Sequence, residues 1–204
     1  VTGFRVGFHG ARGRYNLDVD VLTYAKSVGG GVQVGIACHS ARLAFFGGNY
    51  DIESDGPLIS SRAQIQVPLL LNAGTYARHP MSVVAVWRQL EALQLMDYEL
   101  FHSRVAHLVE TVSEHLSCRN IGDWLELAHM GGVVFFKHEQ NPIVNLLIRC
   151  VFFRHGVYLQ PFGTGINAFS FKYGEGDYRY ALDKFKAALE NLDAIYKPDG
   201  IYKP

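Results

Sequence analysis

The 204 residues suit one large domain or two small ones, and a content of 49% apolar and 13% aromatic residues excludes a disordered or low-complexity chain. Nineteen basic residues balance nineteen acidic ones and no Lys/Arg run forms a basic patch, which argues against a nucleic-acid role. Cys38, Cys118 and Cys150 are odd in number and widely spaced, with no CxxC pair, and read as reduced, buried cysteines of a cytoplasmic protein.

No run of about 18 uncharged apolar residues occurs, and no basic segment precedes an apolar core at the start, so neither a membrane span nor a signal peptide is expected. The opening VTGFR lacks an initiator Met and begins in mid-pattern, as though cut from something longer.

In chain order, residues 1–8 read as the end of a strand running into a loop punctuated by Gly7, Gly10 and Gly13. Residues 19–24 and 32–38 are rich in β-branched and aromatic types and predict two short strands, with Lys26 between them. Residues 47–68 have little periodicity and several turn formers, which predicts a long loop of the kind that often carries function. Pro80 suits the first turn of a helix running to about Gln94, with Val83, Val84, Trp87, Leu90 and Leu93 on one face.

After Asp97 the stripe Phe101, Val105, Leu108, Val109, Val112 and Leu116 predicts a second amphipathic helix that packs against something. Strands are expected at 124–127 and 133–137 around Gly131-Gly132, a helix over 141–155 stopped by Gly156, strands at 157–160 and 168–173, and a last helix from Asp177 to about Ala194. That helix puts Tyr178, Leu182, Phe185, Leu189 and Leu192 on one face. The alternation predicts a compact α/β layer structure in the second half, with 195–204 as a tail.

Few motifs carry chemistry. In a Walker loop glycines precede Lys-Ser/Thr, whereas here Lys26-Ser27 precedes Gly29-Gly30-Gly31, so the order excludes that motif. No GxGxxG opens a helix, and neither HExxH nor GxSxG occurs. The nine histidines are scattered and read as surface or hydrogen-bonded residues rather than metal ligands. What remains is Lys26. A lysine held in apolar surroundings has its pKa lowered by desolvation and becomes a nucleophilic amine, while glycines after it admit a bulky cofactor. The residues alone leave a simpler alternative ahead, a surface lysine in a glycine hairpin.

Three blocks change that balance. Val1-Thr2-Gly3-Phe4-Arg5, then Asp20 through Lys26 to Gly35, then Ala73-Gly74-Thr75-Tyr76-Ala77-Arg78-His79-Pro80-Met81-Ser82, stand in the order and spacing of the class III pyridoxal-phosphate aminotransferases, which the chain resembles. The blocks are most similar to the glutamate-1-semialdehyde aminomutase branch and to aminotransferase domains of mixed polyketide and peptide synthetases. The resemblance implies an α/β fold of type I: the end of the large, cofactor-binding domain over residues 1–96, the small C-terminal domain over 97–194, and a tail over 195–204.

It further implies that Lys26 holds pyridoxal 5′-phosphate as a Schiff base and moves the proton during transfer, and that Thr75 binds the cofactor phosphate, in the family from the neighbouring subunit of a homodimer. The cofactor supplies the electron sink. Arg5 is implied to be mainly structural, with a role near the substrate channel left open. Substrates would be an amino donor and a carbonyl compound, the latter open to presentation by a carrier protein.

The departures matter as well. The family's Asp that binds the pyridine nitrogen, its phosphate loop and its ring-stacking aromatic all precede the equivalent of Val1, so the 204 residues are expected to be inactive by themselves. Gln33 and Val28 are mild departures. Two classes stay open: an aminotransferase or intramolecular aminomutase, and a non-catalytic relative keeping the fold and dimer surface.

Overall fold

The computed structural model describes residues 3–40, 77, 79–138, 142–160 and 167–195. The chain divides into two compact units, residues 9–95 with Gly3, and residues 4–8 with everything from 96 on.

In the first unit a short helix, α1 (Gly10–Tyr15), occupies part of the segment read as a loop. Asn16 ends it in the left-handed region, at φ 48°, with its N–H turned back onto the Arg12 carbonyl. Strands β1 (Val21–Ala25) and β2 (Gly35–His39) form an antiparallel ribbon in which Val21 faces His39 and Ala25 faces Gly35. The second strand starts three residues later than its β-branched pattern predicts, because Val32 N–H bonds to Gly29 O at 3.1 Å and prolongs the turn. Helix α2 (Pro80–Gln94) begins with Pro80 in its first turn, where the missing N–H costs no hydrogen bond. The long loop expected at 47–68 lies outside the described residues.

The second unit is built on helix α3 (Tyr98–Ser117), capped by Asp97, whose carboxylate accepts from Leu100 N–H at 2.9 Å. All six residues of the apolar stripe on α3 are buried. Strands β3 (Leu125–Met130) and β4 (Val133–His138) make a hairpin around Gly131-Gly132, and β5 (Asn167–Ala168) adds to β4, giving the antiparallel order β3-β4-β5. Helices α4 (Pro142–Arg154) and α5 (Glu175–Ile195) complete the unit, α5 packing on both α3 and α4. Phe136, Phe152 and Phe185 meet at the centre with ring centroids 5.2 to 6.2 Å apart.

Four expectations change here. Residues 157–160 form no strand: Val157 N–H closes the end of α4 on Phe152 O at 2.9 Å, and Gln160 N–H donates to the Asn167 side chain at 3.0 Å instead of to a neighbouring strand. Of 168–173 only Ala168 is in the ladder, since Ser170 starts a turn that takes the N–H groups of Lys172 and Tyr173.

Within 1–8, read as the end of a strand running into a loop, the described residues form no strand but a 3-10 turn at Gly3–Arg5, whose last carbonyl accepts from Gly132 N–H and faces His102 Nε2, each at 3.0 Å. The three cysteines are free, as read, but exposed rather than buried. Cys38 lies on an open two-stranded ribbon, Cys118 caps α3 and Cys150 sits on the outer side of α4. No described helix is long and apolar enough to cross a membrane.

Candidate functional site

The turn between β1 and β2 is where the sequence concentrates its chemistry. β1 delivers Ala25 in fully extended backbone, φ −157° and ψ −170°, and the next residue reverses hand. Lys26 has φ +63°, one of two non-glycine residues with positive φ among those described. A β-carbon in that region is crowded against its own carbonyl, a strain that persists only where the surroundings enforce it. Lys26 then opens a 3-10 turn, Lys26–Gly29, closed by Gly30 in the left-handed region with its N–H on Ser27 O at 3.3 Å.

The turn is held from two sides. Val28 is fully buried. Gly29 has no room for a side chain, since an added Cβ would stand 2.8 Å from the Val34 side chain. Gly30 lies against Gln89 of α2, and Ser82 of the same helix donates its hydroxyl to Gln33 O at 3.3 Å. The strain at Lys26 is therefore fixed by packing on α2 rather than by its own side chain.

Lys26 itself is exposed. That agrees with the surface lysine that the residues alone favour and not with one desolvated by apolar neighbours; what sets it apart is backbone conformation. The hydroxyl of the adjacent Ser27 is shut from solvent and has no hydrogen-bond partner among the described residues. An unmet buried hydroxyl is a polar group awaiting a partner. A primary amine open to approach, an orphaned hydroxyl beside it and a glycine wall fit the aldehyde end of pyridoxal phosphate. Thr75, expected at the phosphate end, lies outside the described residues.

Beside the turn, β2 and α2 enclose a cleft of about 760 Å³ lined by Gln33, Val34, Ile36, His79, Val83 and Trp87. Trp87 is pinned by its indole N–H on Glu91 at 2.7 Å, a bond that with Arg88 pulls the Glu91 carboxyl below its usual range. Arg5 belongs to the second unit, where its carbonyl latches the β3–β4 turn, a structural role. The described residues contain no cluster of three His, Cys, Asp or Glu that could hold a metal ion. Sequence reasoning missed the orphaned Ser27 hydroxyl and the strain at Lys26, and only the run of glycines hinted at an unusual backbone there.

No protein-family model matches the chain. Relatives do. It is 27% identical over 202 residues to the glutamate-1-semialdehyde 2,1-aminomutase of Thermoplasma volcanium, covering 95% of this chain and 44% of that protein. With its counterpart from Pyrobaculum aerophilum it is 30% identical over 203 residues, covering 93% and 43%.

Among solved structures, an omega-transaminase from Sphaerobacter thermophilus superposes with a TM-score of 0.72 at 20% identity, over 95% of this chain and 43% of that one. A glutamate-1-semialdehyde aminomutase from Pseudomonas aeruginosa, solved in complex with PMP, gives 0.69 at 14% identity, over 93% and 43%. The chain spans less than half the length of the relatives it matches. It is a homologue of the glutamate-1-semialdehyde 2,1-aminomutases and has, over the part it spans, the type I α/β fold of the class III pyridoxal-phosphate transaminases.

Proposed function

We propose that this chain carries the lysine-bearing part of an enzyme that transfers an amino group between an amino donor and a carbonyl substrate with pyridoxal 5′-phosphate. The observation that carries the reading is Lys26 at φ +63°, a strained residue held in place by glycines and α2 at the end of a strand. Such outliers cluster at functional sites, and the inference runs from the outlier to the function. Bound pyridoxal phosphate supplies the electron sink for the substrate's carbon–hydrogen bond.

Lys26 Nζ would hold the cofactor at its aldehyde carbon and, as a free amine, would take up and return a proton. Ser27 Oγ offers a hydrogen bond next to it. Thr75 is the phosphate-binding residue in this reading. Residues 1–96 then belong to the cofactor-binding domain and 97–194 to the small domain of a homodimer with shared sites. Three free cysteines fit a reducing compartment, the cytoplasm.

By themselves the 204 residues are proposed to be inactive, because the resemblance assigns the ring-binding Asp and the phosphate loop to sequence that this chain does not contain. Intramolecular amino transfer is the second reading, favoured by the aminomutase names of the relatives. Adding pyridoxal phosphate and recording the absorbance spectrum tests the first step: a new long-wavelength band, lost in Lys26→Ala, is expected. No band from a protein that also includes the upstream half would overturn the proposal. Consumption of an external amino donor by that longer protein separates transfer from isomerisation.

A further inference from the structure

The second unit holds a separate cleft of about 200 Å³ between α3 and α5. Arg104 and His107 enter it from α3, and Glu175, Tyr178, Arg179 and Leu182 from α5. Its donors and acceptors do not balance. Arginine brings five N–H donors and no acceptor. Arg179 is matched, with Nη2 3.4 Å from Glu175 Oε1. Arg104 is half-buried and, among the described residues, pairs with no carboxylate.

Tyr178 adds a second unmet donor. It is only 7% exposed, and its hydroxyl is shut from water without a hydrogen-bond partner. Its ring is stacked on Phe169, with centroids 5.2 Å apart and planes 11° from parallel, so the hydroxyl is held where it is. Burial pushes the phenol up to about 12 while the Arg104 charge pulls the other way, so the hydroxyl keeps its proton at neutral pH and the guanidinium stands near enough to influence it.

A half-buried guanidinium and a buried hydroxyl, both without an acceptor among the described residues, line a cleft whose one carboxylate is paired with Arg179. What would satisfy both is an anionic oxygen, since charge-assisted bonds from arginine and hydroxyl donors are the strong ones. We propose that the α3–α5 cleft binds a small oxyanion, a carboxylate or phosphate group, on the Arg104 guanidinium and the Tyr178 hydroxyl. The site lies in a different unit from Lys26 and does not depend on the aminotransferase reading.

The test is a titration of the full chain with sodium acetate and, separately, inorganic phosphate, at constant ionic strength set with chloride, following the Arg side-chain N–H signals and the backbone amides of residues 104 and 178 by NMR. Saturable shifts with at least one anion and none with added chloride are expected. Acetate alone marks a carboxylate site, phosphate alone a phosphate site, and both a site reading the shared oxyanion.

Arg104→Gln and Tyr178→Phe should each weaken saturation by about tenfold or more, while Arg88→Gln in the other unit leaves it unchanged. Tyr178→Phe keeps the ring stack, and Arg104→Gln changes a part-exposed side chain, so circular dichroism should show both folded. Absence of saturation with either anion, or unaltered saturation in Arg104→Gln, overturns the proposal.

Discussion

Helices α2 and α3 follow one another in the chain and both carry an apolar stripe at helical spacing, yet among the described residues only one of the stripes is covered. On α3, Phe101, Val105, Leu108, Val109, Val112 and Leu116 are all buried against β3 and α5. On α2, Leu93 is buried, while Val83, Val84 and Trp87 are 54%, 59% and 66% exposed. The contrast extends to the units. Among the described residues the only apolar side chains that the first unit buries are Val28 and Leu93, whereas the second closes around a continuous cluster. Periodicity announces that a helix has an apolar side; it does not say what lies on that side.

The comparison can be broken most directly with paired truncations. Leu108→Ala on α3 should cost about 2–5 kcal/mol in urea unfolding, and Val84→Ala on α2 about 0.5 kcal/mol or less. Equal losses would mean that α2 is as well covered as α3. Next in size is Gly29→Ala, which sets a methyl group 2.8 Å from the Val34 side chain and should cost about 1–3 kcal/mol. A neutral result would show that the Lys26 turn is not pinned by its packing.

Lys26→Gly separates strain from chemistry. Glycine tolerates φ +63°, so stability should hold or rise by about 1 kcal/mol while the cofactor absorbance band is lost. A clear loss of stability would instead make Lys26 a structural residue. In the second unit, Asp97→Ala removes the cap of α3 and should cost about 1 kcal/mol.

The smallest effect is one of pH. His115 accepts from Arg119 Nε at 3.0 Å, and Arg119 also pairs with Glu190 at 2.9 Å. Burial first, then the charges of Arg119 and Lys186, hold His115 below the ordinary 6.5, against the pull of Glu190. The folded state thus binds fewer protons than the unfolded one. Its stabilising contribution is full above pH 6.5 and is lost as the pH falls through the lower folded value. Urea midpoints measured from pH 7 down to 5 should fall, and His115→Gln should flatten part of that slope.

Much of the second unit was legible in the residues. The stripe of α3, the glycine hairpin between β3 and β4, and Gly156 after α4 are local signals, and each acts within a few residues of itself. The strands at 157–160 and 168–173 misled because their N–H groups are taken by Phe152 O, the Asn167 side chain and Ser170, partners that no local pattern names.

At the candidate site the residues alone favoured a surface lysine, as Lys26 is, and the resemblance gave it a role. The sequence by itself determined the four long helices and which lysine stands among glycines, because helix periodicity and propensity are short-range. Only the tertiary structure decided that, among the described residues, α3 is covered and α2 open, that Val34 and Gln89 pack on the glycines after the left-handed Lys26, and that Arg104 and Tyr178 line one cleft. Those depend on which distant surfaces meet, and hydrophobic burial is non-directional until packing chooses among them.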